Sequence, residues 1–253
     1  MSTITCYRCK QPYENGSCGC RDGQTVVWGD CRDVLPLLEP GSVDFVLTDP
    51  PYGINDTPLF TPDLRKAKRR GGNNTYHPES TWDKKLPIEE ARLCGRFGIV
   101  VWFGHWKNRE PIANAIGLPI RCEIIWVKDT HVGPPCPAAM QDERMWVFSQ
   151  NGLKPRCFET TVWHEPIIPT WSYRHHRNEK PLALMKRALR WLPGEIVLDP
   201  FAGSGTTARA CKDLGRRSLS IEIEQKYCDI IVGRLGFKKK GVVGKNEAGG
   251  FDF

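Results

Sequence analysis

An apolar run, Val43-Asp44-Phe45-Val46-Leu47-Thr48, ends abruptly in Asp49-Pro50-Pro51-Tyr52. A near-continuous apolar stretch of strand length reads as a strand buried on both faces of a parallel sheet. Consecutive prolines cannot continue a hydrogen-bonded ladder, so the chain must leave the sheet there. A stiff loop at the carboxyl end of a parallel strand is where open α/β sheets bind ligands. This loop offers the Asp49 carboxylate, the Pro50 carbonyl and the Tyr52 ring. Together they suit a planar amino group, with acceptors for its hydrogens and a plate for the ring that carries it. A proline-bounded turn without chemistry fits the same residues, because short motifs recur by chance.

A second segment narrows the choice. Residues 195–199, Glu-Ile-Val-Leu-Asp, read as a strand that runs into Pro200-Phe201-Ala202-Gly203-Ser204-Gly205-Thr206-Thr207, with a helix from Ala208. Strand, glycine loop and helix in succession let backbone approach a ligand closely and aim helix N–H groups at it. The next strand, residues 217–222, ends in Glu222. An acid in that place is where a ribose diol is gripped, and a plain surface carboxylate is the alternative. A P-loop needs a Lys before the Ser/Thr, and its absence here argues against ATP hydrolysis. A dinucleotide fingerprint needs a third glycine in register, and Ala208 matches only in part.

The remaining segments fill out one α/β domain over residues 23–235. Residues 25–28 form a short strand leading to Gly29-Asp30. Asp30 either accepts a bond from a cofactor amino group or caps a following helix that reaches Pro40. Further strands are expected at 98–103, 121–127 and 144–148, and helices at 86–96, 109–116, 180–192 and 225–235. Residues 53–85 are polar, with Arg65, Lys66, Lys68, Arg69 and Arg70 close together. They read as a mobile lid or a nucleic-acid-contacting loop beside the site, or else as a solvated charge run. Residues 150–175 interleave aromatics with cations, among them Trp163, His164, Trp171, Tyr173 and Arg174. That mixture suits phosphate contact and base stacking, which makes the segment the expected target-recognition element. The alternative is that its tryptophans are core. Residues 236–253, with Lys238, Lys239 and Lys240, read as a poorly ordered tail. The net charge of +7 favours a polyanionic partner. No stretch is apolar long enough to span a bilayer and the N-terminus carries no secretion signal, so a cytoplasmic protein is expected.

The chain holds 11 cysteines, an odd number that fits metal binding and buried thiols better than a disulfide framework. Cys6, Cys9, Cys18 and Cys20 form a C-x2-C…C-x-C cluster within residues 1–22. Four thiolates on tight turns can surround one zinc ion. So short a segment has almost no core, and metal would supply its folding energy. A structural zinc knuckle is therefore expected at residues 1–22, with free or redox-active thiols as the alternative.

Taken in order, Asp49-Pro50-Pro51-Tyr52, a variable region and then Asp199 to Thr207 resemble the amino-group DNA methyltransferases, which use S-adenosylmethionine. The order resembles the beta class, a circular permutation of the methyltransferase sheet. Gly29-Asp30 is similar to the family's adenine-contacting pair, and Ile221-Glu222-Ile223-Glu224 to its ribose-binding strand end. His176-x-x-Glu179-Lys180-Pro181 resembles the cofactor-proximal His-Pro-x-Gln-Lys-Pro, with Arg177 and Glu179 as departures. The resemblance covers residues 24–235 and implies an α/β fold: a three-layer, Rossmann-like methyltransferase sheet, circularly permuted, with the Cys-rich knuckle outside it. It implies catalytic roles for Asp49, Pro50, Pro51 and Tyr52. It implies cofactor contacts from Gly29, Asp30, Lys180, Asp199, Pro200, Phe201, Ala202, Gly203, Ser204, Gly205, Thr206, Thr207 and Glu222. The expected substrate is double-stranded DNA. Adenine N6 is the expected target, because Asp at the first loop position is the commoner N6 pattern, and cytosine N4 is the alternative. Methylation of RNA or protein, or nucleic-acid binding by an inactive fold, are further alternatives. The resemblance also leaves room for a homodimer and for a cognate restriction endonuclease in a bacterium or phage.

Overall fold

The computed structural model describes residues 4–14, 18, 20–53, 85–132, 140–168 and 179–236. In chain order the elements are β1 (Gln24–Trp28), α1 (Cys31–Val34), β2 (Phe45–Thr48), α2 (Ile88–Cys94), β3 (Ile99–Gly104), α3 (Arg109–Ile116), β4 (Ile120–Val132), β5 (Met140–Ser149), β6 (Val162–His164), α4 (Leu182–Trp191), β7 (Ile196–Asp199), α5 (Thr206–Asp213), β8 (Arg217–Glu222) and α6 (Gln225–Arg234). The strands form one sheet in the order β1-β8-β7-β2-β3-β5-β4-β6. Only β5 runs antiparallel to its neighbours, β3 and β4.

Strand side chains alternate between two buried layers, as a period of two requires. Val46, Val100, Trp102, Trp146 and Phe148 enter one core with α1, α2 and α3. Phe45, Leu47, Val101, Phe103, Met145 and Val147 enter the other with α4 and α5. This is why the central strands read as continuous apolar runs: neither face meets water. A third cluster joins Val26 of β1 to Ala208 of α5 and to Cys228 and Ile231 of α6.

The expected helix after Asp30 is cut short. It makes one turn, α1, and passes into a 3-10 turn over Leu35–Leu37 containing Pro36, whose ring bars continuation of the α-helix. The expected target-recognition segment at 150–175 contains β6, which pairs in parallel with β4 at the sheet edge. Trp163 of β6 is fully buried, edge-on to Trp191 and under the Arg187 guanidinium, so it is core and not a stacking platform. Residues 133–139 and 169–178, the basic stretch at 65–70 and the residues from 237 lie outside the described residues. Among the described residues no helix is long and apolar enough to cross a membrane.

Candidate active site

β2 and β7 lie side by side and parallel, but the chain leaves them in opposite directions, toward β3 and toward β8. Such a divergence opens a crevice at the carboxyl ends of the two strands. Asp49 follows β2 and Asp199 ends β7. The Thr48 hydroxyl donates to Asp199 Oδ1 at 2.7 Å and joins the two strand ends. The Phe201 N–H donates to the same oxygen at 3.2 Å, turning the chain back toward the crevice. Burial pushes the Asp199 carboxyl up to about 6, against hydrogen bonds from Thr207, Thr48 and Phe201.

The crevice opens into a cleft of about 520 Å³. Of the residues expected at the site, it is lined by Gly29, Asp30, Asp49, Pro51, Pro200, Phe201, Gly203 and Glu222. An adjoining hollow of about 70 Å³ brings Lys180, Asp199, Ala202, Ser204, Thr206 and Thr207 against Asp49. Pro50 is buried and Tyr52 flanks Asp49. Gly205 faces away from the cleft: with φ at +80°, a β-carbon on it would stand 2.7 Å from Cγ1 of Ile231. It lets α5 begin close against α6. The opposite wall is Leu86, Pro87, Ile88, Glu89 and Glu90, at the start of α2. Sequence reasoning missed that wall, because nothing in a generic helix start marks the surface it will face.

Two carboxylates, Glu222 and Asp30, border the cleft at the ends of β8 and β1. Glu222 Oε2 accepts from the Gly203 N–H and Oε1 from the Glu224 N–H, both at 2.8 Å. Burial nevertheless pushes the Glu222 carboxyl up to about 7. Asp30 caps α1 through the Arg32 N–H at 2.9 Å and binds the Arg32 guanidinium at 2.5 Å. The cap reading of Asp30 is thus observed, and the same residue borders the cleft.

The Asp49 side chain belongs to a buried polar network that sequence reasoning did not find. Lys180 Nζ lies 2.6 Å from Asp49 Oδ2 and 3.1 Å from Glu143 Oε2. Lys128 Nζ lies 2.6 Å from Glu143 Oε1. The Tyr52 hydroxyl donates to Asp49 Oδ1 at 2.8 Å and stands 3.0 Å from Glu143 Oε2. Asn108 donates from its side chain to the Tyr52 carbonyl and pins the loop. Two carboxylates face two ammoniums, so the buried charge is balanced. Burial would raise the Glu143 carboxyl, but Lys180 and Lys128 hold it down to about 2. Burial also drives the Asp49 carboxyl upward; Lys180 opposes this and the neighbouring Glu143 adds to it. The Tyr52 phenol is held well above its ordinary range by burial and the two carboxylates, so it stays a donor. Neither Lys128 nor Glu143 stood out in the sequence, since the strands expected there, 121–127 and 144–148, stop one residue short of each.

Glu179, one of the two departures from the family pattern, finds a partner in Arg234 at 2.6 Å. Both side chains are nearly buried. The same guanidinium nitrogen donates to the Ser204 carbonyl at 3.1 Å and to its hydroxyl at 3.0 Å. The charge on Glu179 is therefore matched, and the pair clamps the glycine turn from behind.

At the N-terminus the sulfurs of Cys6, Cys9, Cys18 and Cys20 all lie within 4.8 Å of one another. A tetrahedral zinc site with Zn–S bonds of about 2.3 Å places sulfurs roughly 3.8 Å apart. Cys6 and Cys20 are already 4.0 Å apart. Four soft sulfur donors at this spacing fit zinc, and these residues would hold it.

The sheet order, the glycine turn and the acidic proline loop at neighbouring strand ends define a Rossmann-like methyltransferase of permuted topology. Comparison with known families makes this specific. The family model of the N6/N4 methyltransferases, described as DNA methylase, matches residues 43–233. The chain belongs to this family and is a DNA methyltransferase. It is 26% identical over 250 residues to the type II methyltransferase M.HinfI of Haemophilus influenzae, covering 83% of this chain and 68% of that protein. The fold is shared with M1.HpyAVI in its complex with S-adenosylmethionine, at a TM-score of 0.59 and 22% identity, over 85% of this chain and 100% of that one. It is also shared with the cytosine-N4-specific PvuII DNA methyltransferase, at a TM-score of 0.63 and 14% identity, over 87% and 88%.

Proposed function

We propose that the protein transfers a methyl group from S-adenosylmethionine to the N6 amino group of an adenine flipped out of double-stranded DNA. The observation that carries this reading is the shared crevice: Asp49 and the glycine turn open onto one cleft and are tied together through Thr48 and Asp199. Glu222 would grip the cofactor ribose, Asp30 its adenine amino group, and the turn around Gly203 its amino-acid end. The bound cofactor supplies an electrophilic methyl on a sulfonium. An amino group in the base stack cannot reach it, so the base must leave the duplex. The Asp49 carboxylate and the Pro50 carbonyl then accept the amino hydrogens. This draws the nitrogen lone pair out of conjugation and aims it across the crevice. Tyr52, anchored through its hydroxyl and its carbonyl, presents its ring to the base. Lys180 holds Asp49 in place. After transfer the nitrogen sheds a proton, and the Asp49 carboxylate is the acceptor beside it. Positioning and exclusion of water supply most of the rate.

Asp at the head of the proline loop supports adenine over cytosine. The likeness to a type II methyltransferase supports a restriction–modification setting with a cognate endonuclease. The deciding experiment is labelled methyl transfer to unmethylated genomic DNA followed by nucleoside mass spectrometry. N6-methyladenine is expected. N4-methylcytosine would keep the mechanism and change the base, and label in RNA or protein alone would overturn the reading.

A further inference from the structure

We propose that the four N-terminal cysteines bind one zinc ion that clips the edge of the sheet and holds the cofactor side of the cleft in shape. The site is built as a metal site is built. Cys6 and Cys9 flank a tight turn closed by the Lys10 N–H donating to the Cys6 carbonyl at 2.9 Å. Lys10 itself has φ at +61°, a left-handed conformation that residues with a side chain rarely adopt. Such a turn persists only where its surroundings hold it. Among the described residues, the knuckle's own regular pairing is one bridge, Thr5 to Pro12. Backbone bonds from the Cys6 N–H to the Gln11 carbonyl at 2.9 Å and from the Tyr13 N–H to the Ile4 carbonyl at 2.8 Å flank it, and a metal on the four sulfurs would add the cross-link between the two pieces of chain. The sulfurs converge from two separate pieces of chain, Cys6–Cys9 and Cys18–Cys20, onto one point. The Thr25 hydroxyl donates to Cys18 Sγ at 3.2 Å, and such a bond from outside the ligand set fixes a thiolate in orientation.

What the knuckle touches gives the site its consequence. β1 is an edge strand, paired to β8 alone. On its open side the Tyr7 N–H donates to the Val26 carbonyl at 2.6 Å, and Arg8 donates to the Gln24 carbonyl. Arg8 also pairs with Asp22 at 3.0 Å, just ahead of β1. The Tyr7 hydroxyl donates to Asp229 at 2.8 Å and accepts from Gln225 at 3.2 Å, both on α6. The Tyr7 ring meets Trp28 edge-on. One residue therefore bridges β1 and α6. β1 leads directly to Gly29 and Asp30 on the cleft, and α6 follows Glu222, Ile223 and Glu224 and carries Tyr227, all on the same cleft. The zinc ion, by fixing the turn that holds Tyr7, fixes the two elements that form this wall.

The test uses the full chain and does not depend on methyl transfer. Zinc is counted by elemental mass spectrometry on protein purified without added chelator, and one ion per chain is expected. Exchange with cobalt should yield the charge-transfer and visible bands of a tetrahedral tetrathiolate. Hydrogen exchange is then followed with and without a zinc chelator. Protection over residues 24–30 and 225–229 should fall severalfold on zinc removal, while β3 and α3 keep theirs. Because Cys9→Ser can fail to fold, Tyr7→Phe serves as the second variant. It should retain the metal and still lose protection at residues 225–229. A chain without zinc whose four thiols all react freely with a thiol reagent overturns the proposal. So does a zinc-loaded chain whose exchange at residues 24–30 is unmoved by zinc removal. Absent methyl transfer with zinc present would count against the proposed function and leave this inference standing.

Discussion

Lys180 reaches two carboxylates at once, and Asp49, the one in the proline loop, is held by what lies behind it. Asp49→Ala should lower kcat by at least roughly 100-fold, since a positioned carboxylate contributes on that scale. Cofactor affinity, measured by calorimetry, should change little. Glu143→Gln should act differently. It strands the Lys128 ammonium, which is 8% exposed, and breaking such a pair costs about 3–5 kcal/mol in denaturant unfolding. Adding Lys128→Met should recover part of that loss, because the stranded charge goes with it. Removing Glu143 also takes away a charge that raises the Asp49 carboxyl, so the acid limb of the pH–rate profile should move to lower pH. Glu222 makes a third prediction. Its carboxyl is raised from 4.5 to about 7, so between those values the folded chain binds more protons than the unfolded one. Stability therefore falls as pH rises through that window. A ribose diol donating to Glu222 favours the charged form, so cofactor affinity should rise with pH up to about 7. Calorimetry in buffers of different ionisation heat should find a proton released on binding at pH ~6 and none at pH ~8. Glu222→Gln should abolish the difference.

At the scale of elements, the two glycines of the turn have different work. Gly205 lets α5 start against Ile231, whereas Gly203 meets nothing within 4 Å and faces the cleft. Gly205→Ala should destabilise the chain by more than the roughly 1–3 kcal/mol of a left-handed residue, because Ile231 must also move. Gly203→Ala should carry the backbone cost alone and weaken cofactor binding, since its methyl occupies the cleft. Thermal unfolding beside cofactor titration separates the two. This turn was legible in the sequence because its chemistry is local: strand, glycines and helix follow one another within 20 residues. β2 and its proline loop were legible for the same reason. Glu143 was not, because its partners Tyr52 and Lys180 are far away in the chain: Tyr52 lies 91 residues from Glu143. β6 was missed because three residues pairing at a sheet edge leave no period to read. Glu179 looked like a defect until Arg234, from the last helix, stood against it.

For the whole molecule the relevant quantity is charge. A chain of net charge +7 acting on DNA should lose DNA affinity steeply as salt rises, by a slope of about 0.9 for each phosphate contact. The KM for DNA should therefore climb between ~50 and ~200 mM salt, while that for the cofactor stays nearly level. Steady-state kinetics at the two concentrations will show it, and equal salt responses would speak against phosphate contacts as the source of affinity.

The strand order carries one more consequence, for how the chain is made. Among the described strands, β7 and β8 come latest in the chain, yet they insert between β1 and β2, which come earliest. During synthesis the two ends of the future crevice therefore have no common neighbour until residue 222 has emerged. Pairing across so long a separation in sequence is slow. The nascent β1 must wait with its β8-facing edge bare, because Tyr7 and Arg8 bind only the opposite edge of that strand.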